Sequence, residues 1–195
     1  MVGLGNPGNE FEGTRHNLGA DVVRLLAERH EGGKLRPMKG QHALVKEVRI
    51  GGSQVVLAVP TTYVNESGIA ARSLLRQFGG LEPGQLVVVH DELDLPPGVL
   101  RIKRGGGVAG HNGLRSVKAH LHSGDFLRVR IGIGKPGPGV TGADYVLRRP
   151  SRAERIVLGH AVSEAADAVE TIAAHGVEAA MNRFNARTTP APSVS

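Results

Sequence analysis

The chain has 195 residues and a mass of 20.5 kDa, a size that suits one folded domain, and its 40% hydrophobic content is enough for a core. A formal charge of +6 favours a polyanionic partner, and the absence of cysteine excludes a disulfide framework, a thiol nucleophile and a Cys-ligated zinc site. There is no signal-peptide pattern and no apolar run long enough to span a membrane, so we expect a cytoplasmic protein.

The first half of the chain alternates between strand and helix patterns. A very short strand is predicted at 2–4, followed by a turn-rich segment and a helix from Thr14, its expected N-cap, to about 32–33. Two strands rich in β-branched residues follow at 43–50 and 54–60, and the Gly-Gly-Ser between them predicts a hairpin.

The middle of the chain repeats this alternation. A helix is predicted at 67–78, and the wholly apolar run at 86–89 is typical of a central strand covered on both faces. Alternating strands are predicted at 99–103 and 127–133, with a helix at 114–121 between them.

The clearest helix signal lies near the end of the chain. Ser151 to Glu154 forms a capping box, Gly176 closes the helix, and a shorter helix is predicted at 177–185. The tail at 188–195 has a composition typical of disorder. Together these patterns predict a single α/β domain over 1–187, with a mixed, twisted β-sheet flanked by helices.

Polar residues follow three of the predicted strands. Asn6, Asn65 and Asp91 each come just after a strand, where the loops of an α/β sheet converge on a ligand crevice. With His16 on a separate segment, this set suits hydrolysis by an activated water: the imidazole takes the proton, the carboxylate of Asp91 fixes the tautomer, and the amides orient the substrate.

A glycine-rich segment at 105–113 lies between a predicted strand and a predicted helix. Such a loop is either a flexible surface loop or a backbone that lies close to a ligand, and we favour the second interpretation. It would then present His111 and Asn112 to the cleft.

The positive charges are also placed in a regular pattern along two predicted strands. Alternation places Arg101 and Lys103 on one face of their strand, and Arg128 and Arg130 on one face of theirs. If the two strands are neighbours, we expect four cations on one surface, either as a solvated basic face or as a track for phosphates.

Two weaker patterns point elsewhere. Gly3 to Gly8 reads G-x-G-x-x-G, but Pro7 removes an amide donor and the following acidic residue of a dinucleotide site is missing. A metal site would need residues from the polar cluster at 90–94 together with His111, yet no metal-ligand spacing distinguishes them.

Six motifs in order closely resemble those of the bacterial peptidyl-tRNA hydrolase family: VGLGNPG (2–8), TRHN (14–17), TYVNESG (62–68), HDELDLPPG (90–98), GGGVAGHNGLRS (105–116) and RVRIGIGKP (128–136). The resemblance implies a phosphorylase/hydrolase-like fold and hydrolysis of the ester that joins a peptide to the 3′ end of tRNA, freeing tRNA from stalled translation. It also implies a monomer that needs no cofactor and no metal.

The resemblance assigns roles by position. His16 is expected to be the catalytic base and Asp91 its orienting partner, while Asn6 and Asn112 are expected to hold the ester and the water. The expected contacts to the peptide or the tRNA end are Asn65, His111, Phe11 and Val64, the last two standing where many members have Tyr and Met. Lys103 and Arg130 are expected to bind tRNA phosphate.

Two other functions stay open on the sequence alone. One is a non-catalytic RNA-binding relative with the same fold, against which the presence of His16, Asp91 and the three asparagines argues. The other is a nucleotide-dependent enzyme that uses Gly3 to Gly8.

Overall fold

The computed structural model describes residues 1–30 and 33–186. Its strands are β1 (Val2–Gly3), β2 (Arg36–Met38), β3 (Ala43–Ile50), β4 (Ser53–Pro60), β5 (Val87–Glu92), β6 (Leu100–Arg104) and β7 (Leu127–Gly132). Its α-helices are α1 (Leu18–Arg29), α2 (Ser67–Gln77), α3 (Asn112–Leu121), α4 (Gly142–Val146), α5 (Arg152–His175) and α6 (Val177–Phe184).

The strands form one seven-stranded mixed sheet in the order β2-β3-β4-β1-β5-β7-β6. The inner pairs β4-β1, β1-β5 and β5-β7 are parallel, whereas β2-β3, β3-β4 and β6-β7 are antiparallel. The carboxyl ends of the parallel strands therefore meet at one edge of the sheet, where ligand crevices form in this class of fold. The predicted single α/β architecture with a mixed sheet is confirmed.

Helices cover both faces of the sheet and give it two cores. One core joins α1, α5 and α6 to the face that carries Val89, Val129 and Ile131. The other joins α2 and α3 to the opposite face, which carries Val2 and Val88. Because alternate residues of β5 enter different cores, β5 is apolar at successive positions, and this explains the unbroken apolar run in the sequence.

Most predicted elements are confirmed within a few residues. The β3-β4 hairpin turns at Gly51 and Gly52, both at positive φ, and α5 begins with the capping box of Ser151 and Glu154. The sequence patterns missed β2, which has three residues and contains Pro37, and α4, which has five residues. Both are too short to show periodicity. The predicted disordered tail at 188–195 lies outside the described residues.

The start of the first helix differs from the prediction. A 3₁₀ turn at Arg15–Asn17 comes first, and α1 begins only at Leu18. Thr14 does not cap the helix, since its hydroxyl donates to the carbonyl of Phe11 at 2.7 Å. Because α1 begins ten positions after Gly8, its N-terminus does not open from the glycine run, contrary to what a dinucleotide site requires.

The edge strand β6 is bonded on its outer side by a side chain. The amide of Asn185, just after α6, donates to the carbonyl of Ile102 at 2.9 Å and accepts from its N–H at 2.7 Å. These two bonds imitate a neighbouring strand, so they satisfy backbone groups that an edge strand otherwise leaves open.

Two glycines allow α1 to approach the sheet closely. A Cβ on Gly19 would lie 2.2 Å from the carbonyl oxygen of Val89, and a Cβ on Gly3 would lie 2.1 Å from that of Gly19. The 3₁₀ turn that carries His16 leads directly into α1, so this close packing also sets where His16 meets the end of β5.

We therefore expect Gly19→Ala to lower the free energy of unfolding by about 3 kcal/mol, because the added methyl group meets backbone that cannot move aside. Gly159→Ala in α5 is the matched control: nothing lies within 4 Å of its Cβ position. That change should raise the free energy of unfolding by about 0.5–1 kcal/mol through helix propensity. Urea titrations of both variants test this, and equal stabilities would contradict the packing argument.

Candidate active site

A buried carboxylate at the end of β5 binds two imidazoles through one oxygen. Oδ1 of Asp91 lies 2.9 Å from Nδ1 of His16 and 3.1 Å from Nε2 of His111. The side chain of Asp91 is 2% exposed. Burial alone would raise the pKa of Asp91, but His16 and His111 outweigh it and hold the pKa well below its ordinary value. The group is therefore an ionised acceptor at neutral pH.

The backbone fixes the tautomer of His111. Its Nδ1 accepts from the backbone N–H groups of Gly113 and Leu114, at 3.1 and 3.4 Å, and so caps the N-terminus of α3. An imidazole nitrogen that accepts carries no proton, so Nε2 carries it and donates to Asp91. One side chain thus joins the start of α3 to the end of β5.

The same reasoning defines the tautomer of His16. Its Nδ1 faces an ionised carboxylate and must donate, which leaves the lone pair of Nε2 available to take a proton. Burial lowers the pKa of His16, but the charge and hydrogen bond of Asp91 more than compensate, and the net pKa is raised. The arrangement therefore holds an oriented imidazole whose Nε2 is chemically able to accept a proton.

A cavity of about 170 Å³ opens beside this cluster. α4 lines one side, and the end of β5 and the glycine loop line the other. Its lining residues are His16, Asp91, Glu92, Leu93, Gly110, His111, Asn112, Gly142, Ala143 and Val146. The structure thus brings four of the sequence-predicted site residues, His16, Asp91, His111 and Asn112, to one cavity.

Asn6 is not among the residues that line this cavity, and two neighbouring segments hold it. Its Oδ1 accepts from the N–H of Val64 at 2.8 Å. The side chain of Asn17, which is 1% exposed, bonds the backbone of Asn6 in both directions, at 2.9 and 3.0 Å. Since Oδ1 of Asn6 is occupied, the side-chain NH₂ is the group left to donate to a ligand.

The bond from Asn17 to the loop of Asn6 is a contact that the sequence patterns did not predict. It follows His16 directly, so the turn that presents the imidazole also fixes the loop that presents Asn6. The TRHN motif at 14–17 contains it, but an asparagine before a helix is ordinarily read as a cap, and only the fold reveals its partner eleven residues earlier.

Three residues expected to contact the peptide or the tRNA end have different surroundings. Asn65 is exposed on the 3₁₀ turn Val64–Glu66, and Phe11 packs edge-to-face with Tyr63 at a centroid distance of 6.1 Å. Val64 is only 3% exposed. Its side chain lies so close to Gly113 that a Cβ on that glycine would be 2.7 Å from Cγ1 of Val64. The Val64 side chain is therefore buried against the start of α3 while its N–H holds Asn6, and its expected contact to the peptide or the tRNA end stays a prediction.

The predicted four-cation surface is only partly correct. β6 and β7 are antiparallel neighbours, with Arg101 opposite Arg130 and Lys103 opposite Arg128, as the alternation requires. Arg128, however, is 3% exposed. Its guanidinium donates to the carbonyls of Gly107 and, at 2.8 Å, of Gly106, so this cation holds the glycine loop instead of facing solvent.

The remaining expected phosphate ligands differ in availability. Nε of Arg130 donates to Oε2 of Glu92 at 3.1 Å. The carboxylate of this pair is buried, since the side chain of Glu92 is 6% exposed. Lys103 is exposed, and its ammonium lies 3.0 Å from where a Cβ on Gly106 would be. Lys103 is thus the more accessible cation beside the glycine loop.

The side chains of His16, Asp91 and His111 also place one donor atom each within 4.8 Å of one another, a spacing that a metal ion could bridge. Two N–H···O hydrogen bonds already join these atoms, and His111 uses its other nitrogen to cap α3. The cluster is thus satisfied by its own protons.

Among the described helices, none is long and apolar enough to cross a membrane.

Comparison with known proteins gives concordant similarities. The sequence model of a family described as peptidyl-tRNA hydrolase matches residues 1–192. The chain is 49% identical over 195 residues to the peptidyl-tRNA hydrolase of Cutibacterium acnes (95% of this chain, 96% of the relative), and 53% identical over 188 residues to that of Leifsonia xyli subsp. xyli (95% of each chain). The crystal structure of peptidyl-tRNA hydrolase from Acinetobacter baumannii has a TM-score of 0.88 at 38% identity, with 95% of this chain and 93% of that chain covered.

If Asp91 sets the basicity of His16, Asp91→Asn should reverse the pKa shift of His16. With the charge removed, burial remains the main influence, and we expect the pKa of His16 to fall below its ordinary value. An NMR titration of the His16 imidazole measures this directly. Asp94→Asn is the matched control, since Asp94 is exposed and pairs with Lys135 at 3.1 Å. An unchanged pKa of His16 in Asp91→Asn would contradict the electrostatic argument.

Proposed function

The chain belongs to the peptidyl-tRNA hydrolase family, and on that basis we propose that His16 activates the water that cleaves the ester between a peptide and the 3′ end of tRNA. The observation that carries the proposal is the 2.9 Å bond from Nδ1 of His16 to the buried carboxylate of Asp91, which leaves Nε2 as the base. Enzymes of this family are hydrolases that act on an ester bond.

In the proposed reaction, Nε2 of His16 takes a proton from a water molecule while the oxygen of that water adds to the ester carbonyl carbon. The tetrahedral intermediate then expels the ribose 3′ oxygen, which takes the proton back from the His16 imidazolium. Asp91 stays ionised throughout and stabilises the imidazolium, because its bonds to His16 and His111 outweigh its burial and hold its pKa low. The products are the peptide's carboxylic acid, which releases its proton to solvent, and tRNA with a 3′ hydroxyl.

The asparagine amides have the chemistry to hold the carbonyl oxygen. Asn112 begins α3 beside His111 and lines the cavity, and Asn6 has a donor group left after its bond to Val64. One donor to a developing oxyanion is typically worth about 3 kcal/mol of barrier lowering. We assign Asn6 and Asn112 to the ester and water, and the exposed Asn65 with Phe11 to the peptide or the tRNA end.

The tRNA would lie along the β6-β7 side of the cavity, where Lys103 is exposed beside the glycine loop and Arg130 is paired with Glu92. Lys103 would then bind a phosphate directly, and Arg130 would do so while it still holds Glu92. We further propose that residues 1–187 act as one catalytic domain, as a cytoplasmic monomer without a cofactor or metal.

Removal of the base gives the first test. We expect His16→Ala to lower turnover of N-acetyl-aminoacyl-tRNA by about 100-fold or more and to leave tRNA binding nearly intact. His160→Ala, an exposed position on α5, is the matched control. Unblocked aminoacyl-tRNA serves as the comparison substrate. Absence of hydrolysis by the pure unaltered protein would refute the proposed function, and full activity of His16→Ala would refute the assigned base.

The phosphate contact gives a second test. We expect Lys103→Ala to weaken tRNA binding and to reduce the slope of log K against log salt by about 1, as loss of one phosphate contact predicts. Lys39→Ala removes an equal charge just after β2, at the opposite edge of the sheet, and should leave the slope unchanged. Equal slopes for the two variants would contradict the assigned tRNA side.

A further inference from the structure

We propose that His90 is a positioning residue for this hydrolysis, whose ring holds His111 against Asp91 and thereby limits the charge that Asp91 presents to His16. The inference rests on the proposed role of His16 as the base. His90 precedes Asp91 on β5 and points to the opposite face of the sheet, on the side of α3.

The first observation is that His90 is buried with an unpaired nitrogen. The residue is 0% exposed, and its Nδ1 lies 2.6 Å from the carbonyl oxygen of Asp91. A carbonyl only accepts, so Nδ1 carries the proton and Nε2 is an acceptor, which has no partner among the described residues. A buried acceptor without a partner is unfavourable, and an apolar side chain would avoid it, so space filling does not explain a histidine here.

The second observation is that His111 lies between two other histidine rings. The ring of His90 meets it edge-on, with a centroid distance of 4.9 Å and an interplanar angle of 78°, and the ring of His16 is 5.0 Å away at 38°. His90 thus supports His111 from within the core. A histidine is the side chain that combines this ring contact with an N–H for the carbonyl of Asp91.

The third observation concerns charge. The charged or titratable groups around the cluster are Asp91 and Glu92 on β5, His16 before α1, His111 at α3, and Arg128 and Arg130 on β7. Burial, reinforced by His111 and Arg128, lowers the pKa of His90 to about 3. The ring is therefore uncharged at neutral pH, and the role that we propose for it is to orient a neighbour, not to carry a proton.

These observations predict the direction in which the pKa of His16 changes when His90 is replaced. The N–H of His111 shares Oδ1 of Asp91 with His16, so it draws on the same negative charge. If His111 loses its support, its bond to Asp91 weakens and His16 experiences more of the carboxylate charge. The pKa of His16 then rises. Because catalysis needs neutral His16, the acid limb of the activity profile moves to higher pH.

The test separates the ring from its hydrogen bond. His90→Asn keeps a donor near the Nδ1 position without the ring, and His90→Phe keeps the ring without the donor. Val88→Ala, also buried and on the same face of β5, controls for lost core packing. For each variant, kcat/KM against pH is measured on N-acetyl-aminoacyl-tRNA, and the pKa of His16 is measured by NMR titration.

We expect His90→Asn to lower kcat/KM about tenfold and to raise both the acid limb and the pKa of His16 by about half a unit or more. His90→Phe and Val88→Ala should keep the unaltered acid limb. In a His111→Ala background, His90→Asn should produce no further shift, because its effect passes through His111.

The inference is overturned if the pKa of His16 is the same in His90→Asn as in the unaltered protein, or if the shift persists without His111. It is also overturned if His90→Phe raises the pKa of His16 by about half a unit or more, the shift that we expect of His90→Asn. This measurement does not depend on whether His90→Asn folds. The NMR titration needs no activity, so failure of the proposed function, seen as no hydrolysis by the unaltered enzyme, is distinguishable from failure of this inference.

Discussion

The site depends on one buried charge. An isolated carboxylate would not stay ionised at 2% exposure, so Asp91 needs donors that the fold must deliver to it. The two donors come from distant parts of the chain, His16 before α1 and His111 at the N-terminus of α3. Satisfying Asp91 therefore fixes how these two helices meet the end of β5. The same contacts that stabilise the charge orient the imidazole of His16.

Much of the remaining site is built by groups that serve two purposes. His111 caps α3 through one nitrogen and binds Asp91 through the other, and Asn17 holds the backbone of Asn6 while it follows His16 in the same turn. Arg128 uses its charge to bind carbonyls of the glycine loop, which leads into His111. Such shared use rigidifies a cleft made of loops, because a loop residue cannot move without breaking a bond to the core.

The cationic side of the cleft shows how far alternation alone can be taken. Period-two spacing correctly predicted which residues of β6 and β7 share a face, because the side chains of a strand must alternate. It could not predict that Arg128 is covered, since burial depends on the loop above the strand. Nor could it predict the Arg130–Glu92 pair, whose members lie on neighbouring strands and are 38 residues apart.

The sequence by itself determined most of the local structure and supplied the candidates for the site. Apolar spacing, the glycine hairpin and the Ser151–Glu154 box depend on neighbouring residues, and six ordered motifs predicted site roles for His16, Asp91 and the asparagines. Only the tertiary structure decided the roles that depend on partners: His111 as a donor to Asp91, Val64 as packing, and Thr14 as a donor to Phe11 rather than a cap. Hydrogen-bond direction and burial depend on contacts between residues far apart in the chain, and such contacts produce no periodic pattern in the sequence.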